Sequence, residues 1–136
     1  MIFVDTGAWY ALSDPQERRH TDALSLFGKI SSGRFGRVLT TDYVLDEAYT
    51  LVRMRLGLPA VRSLHKLTTS SKSLQLLRVS ENDFEKAVQL MLGHEDKRWS
   101  LTDCTSFVLL HELGVVDAFT FDRNFTEAGF RMHPEL

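Results

Sequence analysis

The chain has 136 residues and a formal net charge of −2, with 43% hydrophobic and 25% charged residues. These values exclude a disordered or fibrous chain, and the length suits one domain, residues 1–136, with a real core. No apolar stretch is long enough to cross a bilayer, Asp5 ends the apolar start, and the single cysteine, Cys104, excludes an internal disulfide. We therefore expect a cytoplasmic protein without a membrane segment.

Short apolar runs and helical stripes alternate along the chain. They predict strands at 2–4, 37–41, 74–79 and 118–121, and helices at about 20–30, 43–55, 60–69 and 100–113. A further helix opens at Ser80 with Asp83, and a short helix and an edge strand near Phe130 complete the chain. This alternation predicts an α/β fold, with a central parallel sheet of four to five strands flanked by helices on both faces.

The basic residues are concentrated in the middle of the chain. Residues 29–80 contain nine lysines and arginines but three acids, whereas both flanking segments are acidic. A basic segment in an acidic protein is typical of a surface that binds a polyanion, and it is equally typical of a solvated helical face. Charge alone leaves both interpretations open.

Two of the predicted strands run directly into an aspartate. Residues 2–4 precede Asp5, and residues 118–121 precede Asp122. In an open parallel sheet, ligand sites lie beyond the carboxyl ends of the strands, so we expect both carboxylates at that edge. Clustered carboxylates repel one another and are typical of sites for a hard divalent cation. The alternative is that each aspartate serves only as a turn or cap residue.

Glu47 lies on the predicted helix 43–55. With a rotation of about 100° per residue, Glu47 borders the apolar stripe of this helix, while Asp46 points nearly opposite. Glu47 can therefore face a site, or it can be an exposed residue that pairs with Arg55. Asp42, at the end of the second strand, is a rival candidate, although we expect it to be the N-cap of this helix.

Asp103 is the third residue after Ser100 at the start of the predicted helix 100–113. A capping box, with Ser100 as the N-cap and the acid at the third helical position, explains Asp103 without any function. For this residue alone, a carboxylate at the helix start that faces a metal ion is equally possible. The presence of the other acids favours the metal-facing interpretation.

Four segments carry these acids in order along the chain. They are "MIFVDTGAWYAL", "TTDYVLDEAYTLV", "WSLTDCTSF" and "DAFTFDRNF". Together they resemble the PIN-domain nucleases, above all the VapC-like toxins of bacterial and archaeal toxin–antitoxin pairs. The resemblance extends from residue 2 to about residue 130.

The resemblance implies a PIN-like domain that cleaves RNA as a Mg²⁺- or Mn²⁺-dependent endoribonuclease. The four acids of the implied metal site are Asp5, Glu47, Asp103 and Asp122. The family's hydroxyl positions fall on Thr6 and Thr120, which we expect to hydrogen-bond the carboxylates. Many PIN domains carry another acid soon after the third, where this chain has Thr105, Ser106 and Phe107. The number of metal ions is therefore open.

The implied mechanism assigns a role to each acid. Asp5 and Asp103 hold the cation directly, and Asp122 is a further ligand or a water-mediated partner. Glu47 binds a second ion or orients the attacking water. Cleavage by an activated water leaves a 5′-phosphate and a 3′-hydroxyl.

Partners follow from the same resemblance. Seven arginines are candidates to contact RNA phosphates, and some could instead contact an acidic partner: Arg18, Arg19, Arg34, Arg37, Arg53, Arg55 and Arg62. The resemblance also implies a small antitoxin protein and a homodimer, for which helices 43–55 and 60–69 offer apolar faces.

Several alternatives compete with this hypothesis. A phosphatase of the haloacid-dehalogenase type needs a second acid two residues after Asp5, where Gly7 stands. A receiver domain needs an acidic pair and a later lysine, and neither is evident. A housekeeping PIN-domain RNA-processing nuclease and a catalytically silent PIN-like module that binds RNA or a partner remain open. Cys104 and His20 are expected to be core residues rather than a nucleophile or a ligand.

Overall fold

The computed structural model of the protein describes residues 1–135. In this part of the chain, five strands form one sheet in the order β3-β2-β1-β4-β5, and every neighbouring pair is parallel. The strands are β1 (Ile2–Val4), β2 (Val38–Thr41), β3 (Leu74–Leu77), β4 (Asp117–Phe119) and β5 (Arg131–His133). The predicted α/β fold with a central parallel sheet is therefore confirmed.

Seven helices connect these strands within residues 1–135. They are α1 (Thr6–Ser13), α2 (His20–Ser31), α3 (Asp42–Leu56), α4 (Leu58–Ser70), α5 (Glu81–Leu92), α6 (Leu101–Leu113) and α7 (Asn124–Glu127). Connections between parallel strands are right-handed. The chain moves from β1 to β2 to β3 in one direction across the sheet, so α1–α4 cover one face. It then moves in the opposite direction to β4 and β5, so α5–α7 cover the other face. The helices within each layer pack on one another. No helix in the described part of the chain is both long and apolar enough to cross a membrane.

The core is densest around the central strand. All three residues of β1 are completely buried, between β2 on one side and β4 on the other. Phe107 of α6 stands edge-on to Phe125 of α7, with ring centroids 5.0 Å apart, and Phe125 stacks on Phe3. Burial of each such side chain stabilises the fold by roughly 1.5–3 kcal/mol. This aromatic cluster fixes α6 and α7 against the strand that leads into Asp5.

Helix α1 is absent from the sequence-based prediction, which assigned no helix before residue 20. The helix is short, and five of its eight residues are buried, including Trp9 and Tyr10. Because nearly every side of this helix packs against protein, it lacks the polar face that gives an amphipathic helix its recognisable period. The indole Nε1 of Trp9 donates to Thr40 Oγ1 at 3.2 Å, which ties α1 to β2.

The start of α3 corrects the expected role of Asp42. The N-cap of α3 is Thr41, whose Oγ1 accepts a hydrogen bond from the Val44 N–H at 3.0 Å. Asp42 is the first helical residue, and its Oδ1 accepts from the backbone N–H groups of Tyr43 and Val79, each at 3.1 Å. The threonine hydroxyl occupies the capping position one residue earlier, so Asp42 instead joins α3 to the segment after β3.

The strand order by itself predicts where a crevice lies at the edge of the sheet. The chain leaves β1 toward β2, whereas it leaves β4 toward β5, on the opposite side. The two adjacent strands β1 and β4 therefore send their connections in opposite directions, which opens a crevice at their carboxyl ends. Asp5 follows β1 directly, and Asp122 follows β4 after two residues. The first and fourth acids thus lie at the topological switch point.

Candidate active site

Asp5 is the most deeply placed of the four acids. It is 5% exposed, and it is the N-cap residue of α1, with its backbone N–H bonded to the Phe119 carbonyl. Its side chain makes no capping bond to α1. Instead, Oδ2 accepts a hydrogen bond from Thr120 Oγ1 at 3.0 Å. The carboxylate therefore points across the crevice toward the end of β4.

Thr120 connects the first acid to the fourth. Its Oγ1 donates to Asp5 and accepts the backbone N–H of Asp122 at 3.0 Å. The threonine side chain is completely buried, so its bond to Asp5 forms away from water, while its bond to Asp122 lies nearer the surface. One short side chain thereby sets the positions of both acids. Thr6 does not make the corresponding contact, because its buried Oγ1 has no hydrogen-bond partner among residues 1–135.

Asp103 is both a cap and a member of the acidic cluster. Ser100 Oγ accepts the Asp103 N–H at 3.0 Å, and Asp103 Oδ2 accepts the Ser100 N–H at 3.1 Å, which completes a capping box. The same Oδ2 accepts from Asn124 Nδ2 at 3.2 Å. Asp103 is 9% exposed at the start of α6. The structural and the functional interpretations of this residue are therefore compatible with each other.

Burial and neighbouring charges in the crevice raise the pKa values of two of the acids. Burial raises the pKa of Asp5 to about 7, and repulsion from Asp103 and Asp122 adds to that rise, while the nearby backbone N–H of Thr6 and the hydrogen bond from Thr120 oppose it. Burial and the nearby Asp122 also raise the pKa of Asp103, against hydrogen bonds from Ser100 and Asn124. A cation among these carboxylates would reverse both effects, because it favours the charged forms.

Glu47 lies apart from the other three acids. It is exposed on α3 and borders a groove of about 550 Å³ that also includes Arg55 and Thr102, the residue before Asp103. Asp46 is exposed as expected, at the rim of the same groove. Within residues 1–135, Glu47 shares no hydrogen-bond network with the other acids. It lies near Asp103 only because α3, which carries Glu47, contacts α6, which carries Asp103.

The four acids do not form a closed metal cage. Among residues 1–135, no group of three or more histidine, cysteine or acidic side chains is close enough to hold a metal ion. Hydrogen bonds through Thr120 and Asn124 hold Asp5, Asp103 and Asp122 near one another in spite of their mutual repulsion, and Glu47 lies at the edge.

The donors in the crevice nevertheless suit a hard divalent cation. The oxygens that could bind a cation belong to carboxylates and hydroxyls, and within residues 1–135 the groups that hydrogen-bond these acids are hydroxyl, backbone N–H and amide groups rather than thiols or imidazoles. Mg²⁺ and Mn²⁺ prefer such oxygen ligands, and Mg²⁺ keeps several waters rather than requiring a complete protein cage. The unpartnered hydroxyl of Thr6 adds a buried oxygen next to Asp5. The chemistry of the site thus fits the expected cation.

The seven candidate RNA-binding arginines are scattered rather than gathered. Arg19 is half-buried with its guanidinium 5.0 Å from the ring of Phe121, and the other six are exposed. Arg55 lies 5.1 Å from the ring of Tyr10 and borders the Glu47 groove. Arg37 precedes β2, at the amino-end edge opposite the crevice, and donates to Gln75. Arg19 and Arg55 are therefore the two whose neighbours belong to the acidic edge.

The residues set aside in the sequence analysis have structural roles. Cys104 is completely buried, and burial together with Asp103 raises its pKa to about 11, so its thiol stays protonated. His20 is half-buried, with Nδ1 2.7 Å from the Ala11 carbonyl oxygen. Trp99 packs against Phe107 at 5.2 Å between ring centroids. Cys104 is thus a core residue as expected, whereas His20 lies at the border of the core with its Nδ1 paired, and Trp99 has a packing role.

Sequence reasoning missed Asn124. Its side-chain amide reaches two of the acids, and its backbone N–H donates to Asp122 Oδ1 at 2.9 Å. The spacing Asp122-x-Asn124 was a usable signal, because an Asx residue often accepts from the backbone two residues later. The contact to Asp103, 21 residues away in sequence, has no such local sign.

Comparison with known proteins agrees with this geometry. The family model described as "PIN domain" matches residues 2–131. A 23S rRNA-specific endonuclease, VapC20 of Mycobacterium tuberculosis, is 32% identical over 136 residues, which cover 99% of this chain and all of that protein. A VapC ribonuclease of Archaeoglobus fulgidus is 27% identical over 111 residues, 81% of this chain and 70% of its own length.

Solved structures give the same answer. The crystal structure of M. tuberculosis VapC20, described as a sarcin-ricin loop cleaving toxin, superposes with a TM-score of 0.87 at 30% identity, over 96% of this chain and 97% of that one. FitAcB from Neisseria gonorrhoeae shares the fold, with a TM-score of 0.70 at 16% identity over 97% and 96% of the two chains. The chain therefore belongs to the PIN-domain family, among its VapC-like endoribonucleases.

Proposed function

We propose that this protein is a divalent-cation-dependent endoribonuclease that acts as the toxin of a toxin–antitoxin pair. The observation that carries the proposal is the buried Asp5 carboxylate, which faces Asp103 and Asp122 at the switch point of the sheet. A buried carboxylate held next to two others is unfavourable on its own, and it becomes favourable when a cation binds. Its relatives are named as RNA-cleaving enzymes over the whole length of this chain.

Asp5 and Asp103 are the residues that would hold Mg²⁺ or Mn²⁺, with Asp122 as a direct or water-mediated partner. When bound, the cation lowers the pKa of water and neutralises charge that builds on the phosphate. Thr120 orients Asp5, and Ser100 orients Asp103, through the hydrogen bonds described above. Ligands whose orientation is fixed in this way bind metal more tightly than free side chains do.

We assign Glu47 to the attacking water. It is exposed, so it can receive solvent, and it borders the groove next to Thr102, one residue from Asp103. In the proposed reaction, the water oxygen bonds to phosphorus, the bond from phosphorus to the 3′ oxygen breaks, and that oxygen takes up a proton. The products carry a 5′-phosphate and a 3′-hydroxyl. Glu47 would orient the water and accept its proton, or bind a second cation.

Positive charge near the acids is available for the RNA backbone. Among residues 1–135, neither Arg19 nor Arg55 forms an ion pair with a carboxylate, although each lies over an aromatic ring at the acidic edge. A guanidinium held by a ring keeps its donors for another partner. Arg55 is exposed and is therefore suited to a phosphate beside the cleaved bond, where it positions RNA without reading its sequence. Arg19 is half-buried with its Nη1 inside the protein, so only its remaining donors can reach RNA.

The substrate can be proposed more narrowly than RNA in general. VapC20 is named as specific for 23S rRNA and as cleaving the sarcin-ricin loop. Since this chain matches VapC20 from end to end, we expect the same loop to be its target. An RNA target of this kind also places the expected action in the cytoplasm.

Two protein partners belong to the proposal. A small antitoxin protein would hold the enzyme inactive, as expected for a VapC-like toxin. A second copy would form a homodimer through α3 and α4, where Met54 is 78% exposed and Leu58 is also exposed. Light scattering of the purified chain measures the dimer, and a monomer at micromolar concentration would contradict it. Toxicity that a neighbouring small gene relieves supports the antitoxin, and toxicity unaffected by any neighbour argues against it.

Cleavage of ribosomal RNA tests the enzymatic proposal directly. Purified protein is incubated with ribosomes and with an unrelated RNA, with Mg²⁺ or with a chelator, and the fragment ends are mapped. We expect one Mg²⁺-dependent cut in the sarcin-ricin loop and no cut by Asp5→Asn, whereas Asp46→Asn, an exposed neighbour of Glu47, keeps activity. Undiminished cleavage by Asp5→Asn would exclude the assigned site.

The two alternatives give different results in the same experiment. A housekeeping RNA-processing nuclease cuts RNA in a cation-dependent manner but is neither toxic nor paired with an antitoxin. A catalytically silent module binds RNA without cutting it, and the binding is unchanged by Asp5→Asn. The clustered carboxylates argue against the silent module, because a purely structural or RNA-binding site gains nothing from buried negative charge.

A further inference from the structure

Asn124 contacts two of the proposed metal ligands at once. Its Nδ2 lies 3.2 Å from Asp103 Oδ2 and 3.4 Å from Asp122 Oδ2, and its backbone N–H lies 2.9 Å from Asp122 Oδ1. Among residues 1–135, no other side-chain amide or hydroxyl donates to both of these carboxylates. Asn124 therefore bridges the acid at the start of α6 and the acid that follows β4.

The amide group is chemically suited to this bridge. A carboxamide nitrogen carries two hydrogens, so it can donate to two acceptors simultaneously. If the amide were reversed, its oxygen would face two carboxylates, so the hydrogen-bond network fixes its orientation. A lysine in the same place would neutralise the site and compete with a cation, whereas the neutral amide reduces repulsion without adding charge.

Asp122 depends on this residue more than Asp103 does. Asp103 is almost buried and is also held by the Ser100 N–H. Asp122 is exposed, and within residues 1–135 the only hydrogen bonds to its carboxylate oxygens come from Asn124, one to each oxygen. Without the side-chain bond, only the backbone N–H of residue 124 still holds this carboxylate, through Oδ1, and Oδ2 is free to turn toward solvent. The side-chain amide is therefore what directs Oδ2 toward Asp103.

We infer that Asn124 is a positioning residue, which holds the Asp122 carboxylate toward Asp103 so that both can serve one cation. This inference rests on the proposed function, because it assigns a role to a residue that contacts the metal ligands. Asn124 acts through the two aspartates and does not touch the reacting atoms. Its loss should therefore change cation affinity and turnover rather than RNA binding.

The test compares Asn124→Ala with Thr126→Ala, an exposed residue of the same helix. Mn²⁺ binding is measured without RNA by calorimetry, and RNA cleavage is measured across a range of Mg²⁺ concentrations. For Asn124→Ala we expect Mn²⁺ affinity and kcat to fall roughly ten- to hundredfold, with KM for RNA within about twofold of the original value. Thr126→Ala should match the unmodified protein in all three.

A second variant separates bridging from simple loss of packing. Asn124→Asp keeps the shape but replaces both donors with a negative oxygen next to two carboxylates. In chelator at pH 8, it should melt several degrees below Asn124→Ala, because three like charges then meet. An Asn124→Asp protein as stable as the unmodified chain would show that the bridge is not made.

The outcomes distinguish this inference from the proposed function. If the unmodified protein binds Mn²⁺ and cleaves RNA while Asn124→Ala does both equally well, the positioning role is wrong and the enzyme assignment stands. If the unmodified protein neither binds Mn²⁺ nor cleaves RNA, both are wrong. If Asn124→Ala changes only the melting temperature, the residue is structural and the inference fails.

Discussion

Replacing Asp5 by asparagine removes a charge that the fold holds away from water. Asparagine has nearly the same shape, and its side-chain oxygen can still accept the hydrogen bond from Thr120. In the absence of divalent cation, we therefore expect Asp5→Asn to be more stable than the unmodified protein at pH 8, although it is inactive. This is unusual, because most substitutions of buried residues destabilise a protein.

The size of the effect follows from the pKa of Asp5. Burial raises that pKa from 3.8 to about 7, a shift of about three units, which corresponds to on the order of 4 kcal/mol when the carboxylate is fully ionised. The folded protein holds the proton more tightly than the unfolded chain, so stability falls as the pH rises from about 4 to 7. Below pH 4 both states are protonated and the penalty is absent. The difference between the two proteins should therefore be large at pH 8 and small at pH 4.

Urea unfolding in chelator, followed by circular dichroism at pH 4 and pH 8, measures this difference. Adding Mg²⁺ at pH 8 should then stabilise the unmodified protein, because the ligand binds only the folded state, and should leave Asp5→Asn unchanged. Asp46→Asn, which removes an exposed charge, should stay within about 0.5 kcal/mol of the unmodified protein. A cation-free Asp5→Asn less stable at pH 8, or equal responses to Mg²⁺, would refute the reasoning.

Three further predictions concern residues around the same crevice. Glu47→Gln should lower kcat by roughly a hundredfold or more if Glu47 handles the attacking water, while Asp46→Asn retains activity, and single-turnover cleavage distinguishes the two. Thr120→Val should weaken Mn²⁺ binding and raise the pKa of Asp5 further, because Asp5 loses its hydrogen bond from Thr120. Mn²⁺ affinity measured as a function of pH should shift to higher pH, and an unchanged pH profile would contradict this prediction. Ser100→Ala should destabilise the fold by about 1 kcal/mol because α6 loses its helix cap. Cleavage by the folded protein should stay nearly unchanged, since the backbone N–H of residue 100 still donates to Asp103; a large loss of kcat would show that the Ser100 side chain also positions Asp103.

The order of the strands and the location of the candidate site could be predicted from local pattern. The apolar run before Asp5 identifies a strand buried on both faces, and the observed β1 is completely buried. Alternation of strands and helices implies a parallel sheet, and a parallel sheet places Asp5 and Asp122 at its carboxyl edge without further information. Strand ends were less accurate: β4 ends at Phe119, two residues before the predicted end, because Thr120 turns to bond Asp5 and the Asp122 N–H.

Tertiary contacts decided which polar groups meet. Thr6 and Thr120 were equivalent candidates in the sequence, yet only the hydroxyl of Thr120 reaches a carboxylate. Arg37 resembled the other basic residues of the middle segment, but the topology puts it at the amino-end edge, opposite the crevice. Such choices depend on the direction of each side chain after packing, and hydrophobic period and residue type do not encode that direction.

What the sequence determined by itself was an α/β fold and the two strand-end aspartates, because hydrophobic period and residue type are local properties of the chain, and its resemblance to PIN-domain nucleases indicated the family. What only the tertiary structure decided was the content of the crevice: Asp103 serves as both cap and cluster member, Glu47 stands at the edge, and Asn124 joins two acids. The contact between Asn124 and Asp103 crosses from α7 to α6, and the contact between Thr120 and Asp5 spans 115 residues. Contacts of that range exist only once the core has brought the carboxyl ends of β1 and β4 together.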